Sequence, residues 1–140
     1  MRKLYKYGLA VISDYRVLLC RPFAFPDLIM PGGIREKDED HVSNLVRETR
    51  EELGTQAILV LSSLEYLGTF EDVAAGRTET TVEIELYKGE VVGTLEPSTE
   101  IAELVWYDPR ETHGKLSPVV RNKIIPFLVM RGLLRDRVMC

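Results

Sequence analysis

The segment Gly33–Gly54, GIREKDEDHVSNLVRETREELG, decides how the chain is read, because it sets Gly33, Glu39, Arg47, Glu48, Glu51, Glu52 and Gly54 at fixed offsets. Its spacing predicts a helix from about Glu39 to Leu53. Val42, Leu45, Val46, Thr49 and Leu53 then share one stripe of the kind that packs on a core. At about 100° per residue, Glu48, Glu51 and Glu52 fall on an arc of roughly 100° along the flank and outer side of that helix. Like charges so close repel, and Arg47 and Arg50 offset only part of the repulsion. Hard divalent cations take oxygen ligands and bridge carboxylates to phosphates, so Mg²⁺ suits the cluster, with Mn²⁺ as an option. Zinc does not, since His41, His113, Cys20 and Cys140 show no ligand spacing.

The order GX₅EX₇REXXEEXG resembles the signature of the Nudix hydrolases. At residue frequencies of about one in fifteen, seven such identities arise by chance in a chain this long less than about once in a million. Two less constrained places depart from the common pattern: Asn44 stands where a small apolar residue is usual and Thr55 where an aliphatic one is. Neither belongs to the charged set, so both are expected to bear on helix packing rather than on chemistry.

The resemblance implies an α/β/α sandwich around a mixed β-sheet and Mg²⁺-dependent hydrolysis of a phosphoanhydride bond. The substrate class it implies is a nucleoside diphosphate linked to another moiety. A narrower form is a nucleoside triphosphate pyrophosphohydrolase that cleans the nucleotide pool. It also implies a metal cradle of Glu48, Glu51, Glu52 and the Gly33 carbonyl, with Glu39 and Arg47 in support. The general base is Glu51, Glu52 or a loop glutamate; Glu100 is the loop candidate, with Glu96 and Glu103 as competitors. Arg21, Phe23, Phe25 and Arg35 are candidates for holding substrate, followed by Lys37 and Arg77. Related ADP-ribose enzymes tend to carry a proline, and diadenosine polyphosphate enzymes a tyrosine, some sixteen to eighteen residues past the motif. Phe70 and Asp72 stand there instead. Nucleotide-sugar or ADP-ribose cleavage remains the alternative activity, and a non-catalytic nucleotide-sensing module the alternative class.

With 140 residues, 45% of them hydrophobic, the chain is expected to form one domain over residues 1–140. Its first twenty residues, MRKLYKYGLAVISDYRVLLC, alternate as a strand does and are broken by Ser13, Asp14 and Arg16, so no signal peptide is expected. No stretch approaches the roughly 20 apolar residues that span a bilayer, and two cysteines make no disulfide framework. A cytoplasmic setting is the expectation. The net charge of −4 is uneven: Thr112–Cys140 carries six Lys or Arg against Asp136 alone, which leaves −9 on the first 111 residues. So acidic a body argues against general nucleic-acid binding, and the basic tail reads as a solvated helix face. The expected partner is a small nucleotide, with a homodimer as an option.

Tyr5–Ser13 and Tyr15–Arg21 read as a hairpin turning at Ser13-Asp14, and Arg21–Asp27 as a loop held open by Pro22 and Pro26. Leu28–Met30 reads as a short strand ended by Pro31-Gly32-Gly33, where glycine permits close backbone approach. Ala57–Leu61 with Glu65–Phe70 reads as one long or two short strands. A loop over Glu71–Glu79 follows, then strands at Thr80–Tyr87, Glu90–Leu95 and Ala102–Tyr107. Trp106 and Tyr107 are expected to pack the sheet. Ser117-Pro118 reads as the start of a helix that runs toward Leu134 and breaks near Pro126.

Overall fold

The computed structural model describes residues 1–111 and 114–136; His113 and Cys140 lie outside the described residues. Strand β1 (Arg2–Ala10) runs parallel to β6 (Thr80–Gly93), in register from Arg2↔Thr80 to Ala10↔Lys88. β4 (Gly32–Ile34) pairs antiparallel with β1 and β5 (Ala57–Val73) antiparallel with β6, giving a mixed sheet in the order β4-β1-β6-β5. A second sheet joins β2 (Ile12–Ser13), β3 (Arg16–Pro22) and β7 (Ile101–Tyr107) in the order β2-β3-β7.

The continuous apolar run of β3 explains why helices lie on both faces. Val17 and Leu19 enter one core cluster with Val82, Ile84, Val120 and Leu128, whereas Leu18 enters another with Tyr7, Leu9, Leu45 and Leu53. Alternate residues of a strand point to opposite faces, so a run buried throughout needs a cover on each side. Helix α1 (His41–Leu53) provides one and the C-terminal helix the other, which makes the fold an α/β/α sandwich on mixed sheet. No helix among the described residues is long and apolar enough to cross a membrane.

Helix α1 starts two residues later than the spacing suggests, because the Asp40 side chain accepts the Ser43 N–H at 2.8 Å and caps it. Its inward face is also rotated. Val46 is 37% exposed and Val42 half-buried, while Asn44, Leu45, Thr49 and Leu53 are buried. Glu52 lies within about 20° of Leu45 around the axis, so Glu52 and Glu48 turn inward rather than along the outer flank. The facing strand is β4, whose Gly32 and Gly33 carry no side chains to fill that space.

Pro31-Gly32-Gly33 does not end a strand; it opens one, with Gly32 opposite Gly8 and Gly33 opposite Tyr7. Gly32 sits at φ +130, and a Cβ there would strike the Tyr7 carbonyl oxygen. Leu28–Met30 makes only single bridges, Cys20↔Ile29 and Leu28↔Leu116. The first hairpin turns at Asp14-Tyr15, one residue late, and both residues adopt the positive φ that tight hairpin turns require. β5 is one strand with register shifts at Val60/Glu65 and Tyr66/Gly68, and it continues to Val73; Glu90–Gly93 extends β6. At the C-terminus Ser117 makes no side-chain cap: its hydroxyl is buried without a partner. A π-helical turn over Val120–Ile124 precedes α2 (Ile125–Met130), so Pro126 falls in a first helical turn, where its missing N–H is not needed. The helix continues through the proline but stops at Met130.

Gly32→Ala meets both a left-handed backbone and a backbone atom, whereas Gly132→Ala, at φ +77 with nothing within 4 Å, meets only the first. Urea denaturation is expected to show Gly132→Ala costing about 1 kcal/mol and Gly32→Ala clearly more.

Candidate functional site

Facing the glycine strand, α1 presents its carboxylates to backbone. Glu52 Oε1 accepts the Gly32 N–H at 2.8 Å, and a Cβ on Gly33 would collide with the Glu48 carboxylate. The absence of that Cβ is what lets the helix approach. Arg47 ties the cluster together: Nε and Nη2 donate to the two Glu39 oxygens at 3.0 Å each. Its Nη1 donates to Glu48 at 2.9 Å and to Glu51 at 3.2 Å, and Glu36 lies 3.5 Å from Nη2. The fork on Glu39 is bidentate, the strongest geometry for a guanidinium and a carboxylate. It holds the Glu39 carboxyl at a pKa of about 2, aided by Asn44.

Asn44 does more than pack. It is fully buried, and its Nδ2 donates to Glu39 Oε1 at 2.9 Å, to the Ile34 carbonyl at 3.2 Å and to the Gly33 carbonyl at 3.4 Å. The departure from the family pattern thus sits inside the charged network, against the expectation that it would affect helix packing alone.

The protein compensates the charged forms of Glu48 and Glu52 only in part. Burial raises the pKa of both, most strongly for Glu52, although the Gly32 N–H and Lys6 oppose the rise there and Arg47 opposes it at Glu48. As the side chains stand, no three acidic, His or Cys groups among the described residues converge on one point. Arg47 occupies Glu48 and Glu51 instead. The donor set nevertheless fits a hard divalent ion: carboxylate oxygens, a backbone carbonyl brought near by a missing Cβ, and buried carboxyls whose ionised form a cation would stabilise.

Glu51 and Glu100 line one cleft of about 610 Å³ with Arg50, Thr55, Glu96 and Ser98. Glu103 is bound to Arg21 at 2.9 Å. That pair engages the Arg21 guanidinium, and Phe23 is 71% exposed. Arg35 stacks over the rings of Tyr5 and Tyr7, 5.1 and 5.7 Å from their centroids, beside Lys37 in a shallow groove. Phe25 and Arg77 do line a pocket, a narrow slot of about 100 Å³ on the face of β1 and β6 away from α1. Leu4, Met30, Ile34, Val82, Ile84 and Val119 form its apolar walls, and Lys6 and Ser117 complete it.

Lys6 and Ser117 escaped the sequence reading. Lys6 looked like one polar tooth of an alternating strand, yet its charge reaches both Glu48 and Glu52. Ser117 looked like a helix cap. His41 stacks on Tyr87 at 4.4 Å, Cys20 is buried with its thiol toward the Ile29 carbonyl at 3.7 Å, and Trp106 is 36% exposed rather than packed away.

A family model, the NUDIX domain, matches residues 7–127. The chain belongs to the Nudix hydrolase family. Among solved structures, the E. coli ORF135 protein is similar at 27% identity, over 94% of this chain and 92% of that one, with a TM-score of 0.70. A MutT NUDIX hydrolase from Burkholderia pseudomallei is similar at 20% identity, over 86% of this chain and 95% of that one, with a TM-score of 0.72. A UDP-X diphosphatase is similar at 18% identity over 98% of this chain and 66% of that one, also with a TM-score of 0.72. No curated protein matches by sequence. As a Nudix hydrolase the chain is an enzyme acting on acid anhydrides, of a family that generally uses divalent metals and small nucleotide substrates.

The Glu39–Arg47 fork gives a pH dependence with a definite sign. A carboxylate depressed from 4.5 to about 2 stabilises the fold above its unfolded pKa and loses that contribution as pH falls from 4.5 through 2. Glu39→Gln is therefore expected to lower the thermal midpoint at pH 7, with the gap to the parent protein narrowing between about pH 5 and pH 2 in scanning calorimetry.

Proposed function

We propose that this Nudix hydrolase cleaves a phosphoanhydride bond in a nucleoside diphosphate linked to a further group, and that nucleoside triphosphates are its substrates. The observation that carries the reading is the inward-turned Glu48 and Glu52 against the glycine strand, with Glu51 beside them and one arginine positioning the set. Glu48, Glu51, Glu52 and the Gly33 carbonyl would hold Mg²⁺ or Mn²⁺. Such an ion supplies neutralisation of phosphate oxygens and activation of water. Glu39 and Asn44 keep Arg47 and the Gly33 carbonyl in place, the outer contacts that fix ligand geometry.

The remaining steps belong to the chain. The slot beside Phe25 holds the base: 100 Å³ has room for about seven to ten water-sized groups, the size of one nucleobase and not of two. That favours a mononucleotide over a dinucleoside polyphosphate. Lys6, which lines the slot and whose charge acts on Glu48 and Glu52, would attract the phosphates. Glu100 takes the proton of the attacking water from across the cleft it shares with Glu51, and its exposure lets it pass the proton to solvent. Glu51 and Glu52 are the alternatives for that proton. The names of the MutT and UDP-X diphosphatase neighbours agree with nucleotide substrates. A cytoplasmic location fits a nucleotide-pool enzyme.

The test is a panel of nucleoside triphosphates, nucleotide sugars and dinucleoside polyphosphates with Mg²⁺, products being separated by chromatography. Triphosphates are expected to give a nucleoside monophosphate and pyrophosphate. On the best substrate, Glu52→Gln is expected to lower kcat at least 100-fold, about 2.7 kcal/mol of barrier; a change within threefold sinks the cradle. Glu100→Gln is expected to lower kcat while Mn²⁺ affinity, followed by electron paramagnetic resonance, stays unchanged. An unaltered kcat would return the base to the helix.

A further inference from the structure

Helix α1 closes an open sheet edge with side chains. β4 is the outermost strand of its sheet, and in an antiparallel pair every second residue turns its N–H and C=O away from the partner strand. The Leu9 N–H donates to the Pro31 carbonyl at 2.8 Å and the Arg35 N–H to the Tyr5 carbonyl at 2.9 Å, which fixes the phase of the alternation. Gly32 and Ile34 therefore face outward, where β1 cannot reach them. Glu52 accepts the Gly32 N–H at 2.8 Å, and Asn44 Nδ2 donates to the Ile34 carbonyl at 3.2 Å. One acceptor and one donor on the helix thus stand where a neighbouring strand would.

The Asn44 amide fits in one orientation. Its Nδ2 is shared among the Ile34 carbonyl, Glu39 Oε1 at 2.9 Å and the Gly33 carbonyl at 3.4 Å, all acceptors, so an amide oxygen turned there would meet only lone pairs. The amide oxygen itself is buried without a partner. That is a desolvation cost which the small apolar residue usual at this place would not carry. Glu39 needs the amide least of the three, because Arg47 Nε and Nη2 donate to it at 3.0 Å each and the Glu36 N–H at 3.3 Å.

We propose that Asn44 is a positioning residue for the cation and acts through the edge strand: by gripping the successive carbonyls of Gly33 and Ile34, it fixes the direction of the Gly33 carbonyl relative to the helix carboxylates. The claim rests on the reading of that carbonyl, with Glu48, Glu51 and Glu52, as the metal's ligands. Its action is separable from the Glu39–Arg47 fork, since Glu39 keeps three donors when the amide is gone.

The experiment measures Mn²⁺ affinity by electron paramagnetic resonance, with thermal midpoints alongside. It compares the parent protein with Asn44→Ala, Asn44→Leu, Glu39→Gln and the double variant Glu39→Gln/Asn44→Ala. Asn44→Ala, and Asn44→Leu with its closer match in volume, are expected to weaken Mn²⁺ binding about fivefold or more at a temperature where both are folded. The double variant is expected to weaken it by the product of the single effects, to within about twofold. A lowered midpoint with a smaller change in affinity assigns the amide to the fold alone and overturns the proposal, as does unfolding of both variants. A double variant that falls short of the product by more than that margin places the effect on the fork and also overturns it. If the parent protein binds Mn²⁺ but hydrolyses no nucleotide, the proposed function fails alone and the Asn44 comparison still judges this inference; a parent that binds no Mn²⁺ overturns both.

Discussion

A glutamate turned inward against a strand that has no side chains is the constraint on which the site depends. Glu52 reaches the Gly32 N–H because Gly32 and Gly33 leave backbone bare, and the same bareness lets Glu48 lie where a Cβ would otherwise stand. Burial makes this arrangement costly for two negative charges, since a desolvated carboxylate resists ionisation. The helix tolerates them because Arg47 sits within hydrogen-bonding reach of Glu39, Glu48 and Glu51, and because the charge of Lys6 acts on Glu48 and Glu52. Fold and chemistry are joined at that point: the sheet supplies polar backbone and the helix supplies charge.

The order of those charges was plain in the amino-acid sequence because spacing of identical residue types survives without knowledge of packing. Their direction was not. Amphipathic analysis assumes that apolar residues point inward and charged ones outward, and at Glu48 and Glu52 the site violates it on purpose, while Val46 is left in solvent. The same assumption hid Asn44, a polar residue at full burial, whose amide completes the network around Glu39 and Gly33.

Strands were legible where alternation was undisturbed, as from Thr80 to Tyr87, and ambiguous where glycine or proline intervened. Pro31-Gly32-Gly33 has the composition of a turn, yet pairing with β1 overrides it. Pro126 has the composition of a break, yet a helix with an altered bonding frame passes through it. The slot was visible only in part: Phe25 and Arg77 stood out singly as candidates, whereas Lys6 and Ser117 did not, and only the tertiary fold gathers the four from separate parts of the chain. No local pattern encodes such a meeting.

The π-helical turn at Val120–Ile124 has a consequence for how this scaffold changes over time. A turn with i→i+5 bonding holds one residue more than its α counterpart, so it acts as a phase shifter between the part of the helix that borders the slot, Ser117 and Val119, and the part that anchors it, Ile125 and Leu128. Removing a single residue there would rotate one part against the other by about 100°. The wall of the slot can thus be re-indexed by an insertion or deletion far from the acidic helix, leaving the carboxylates on that helix as they were.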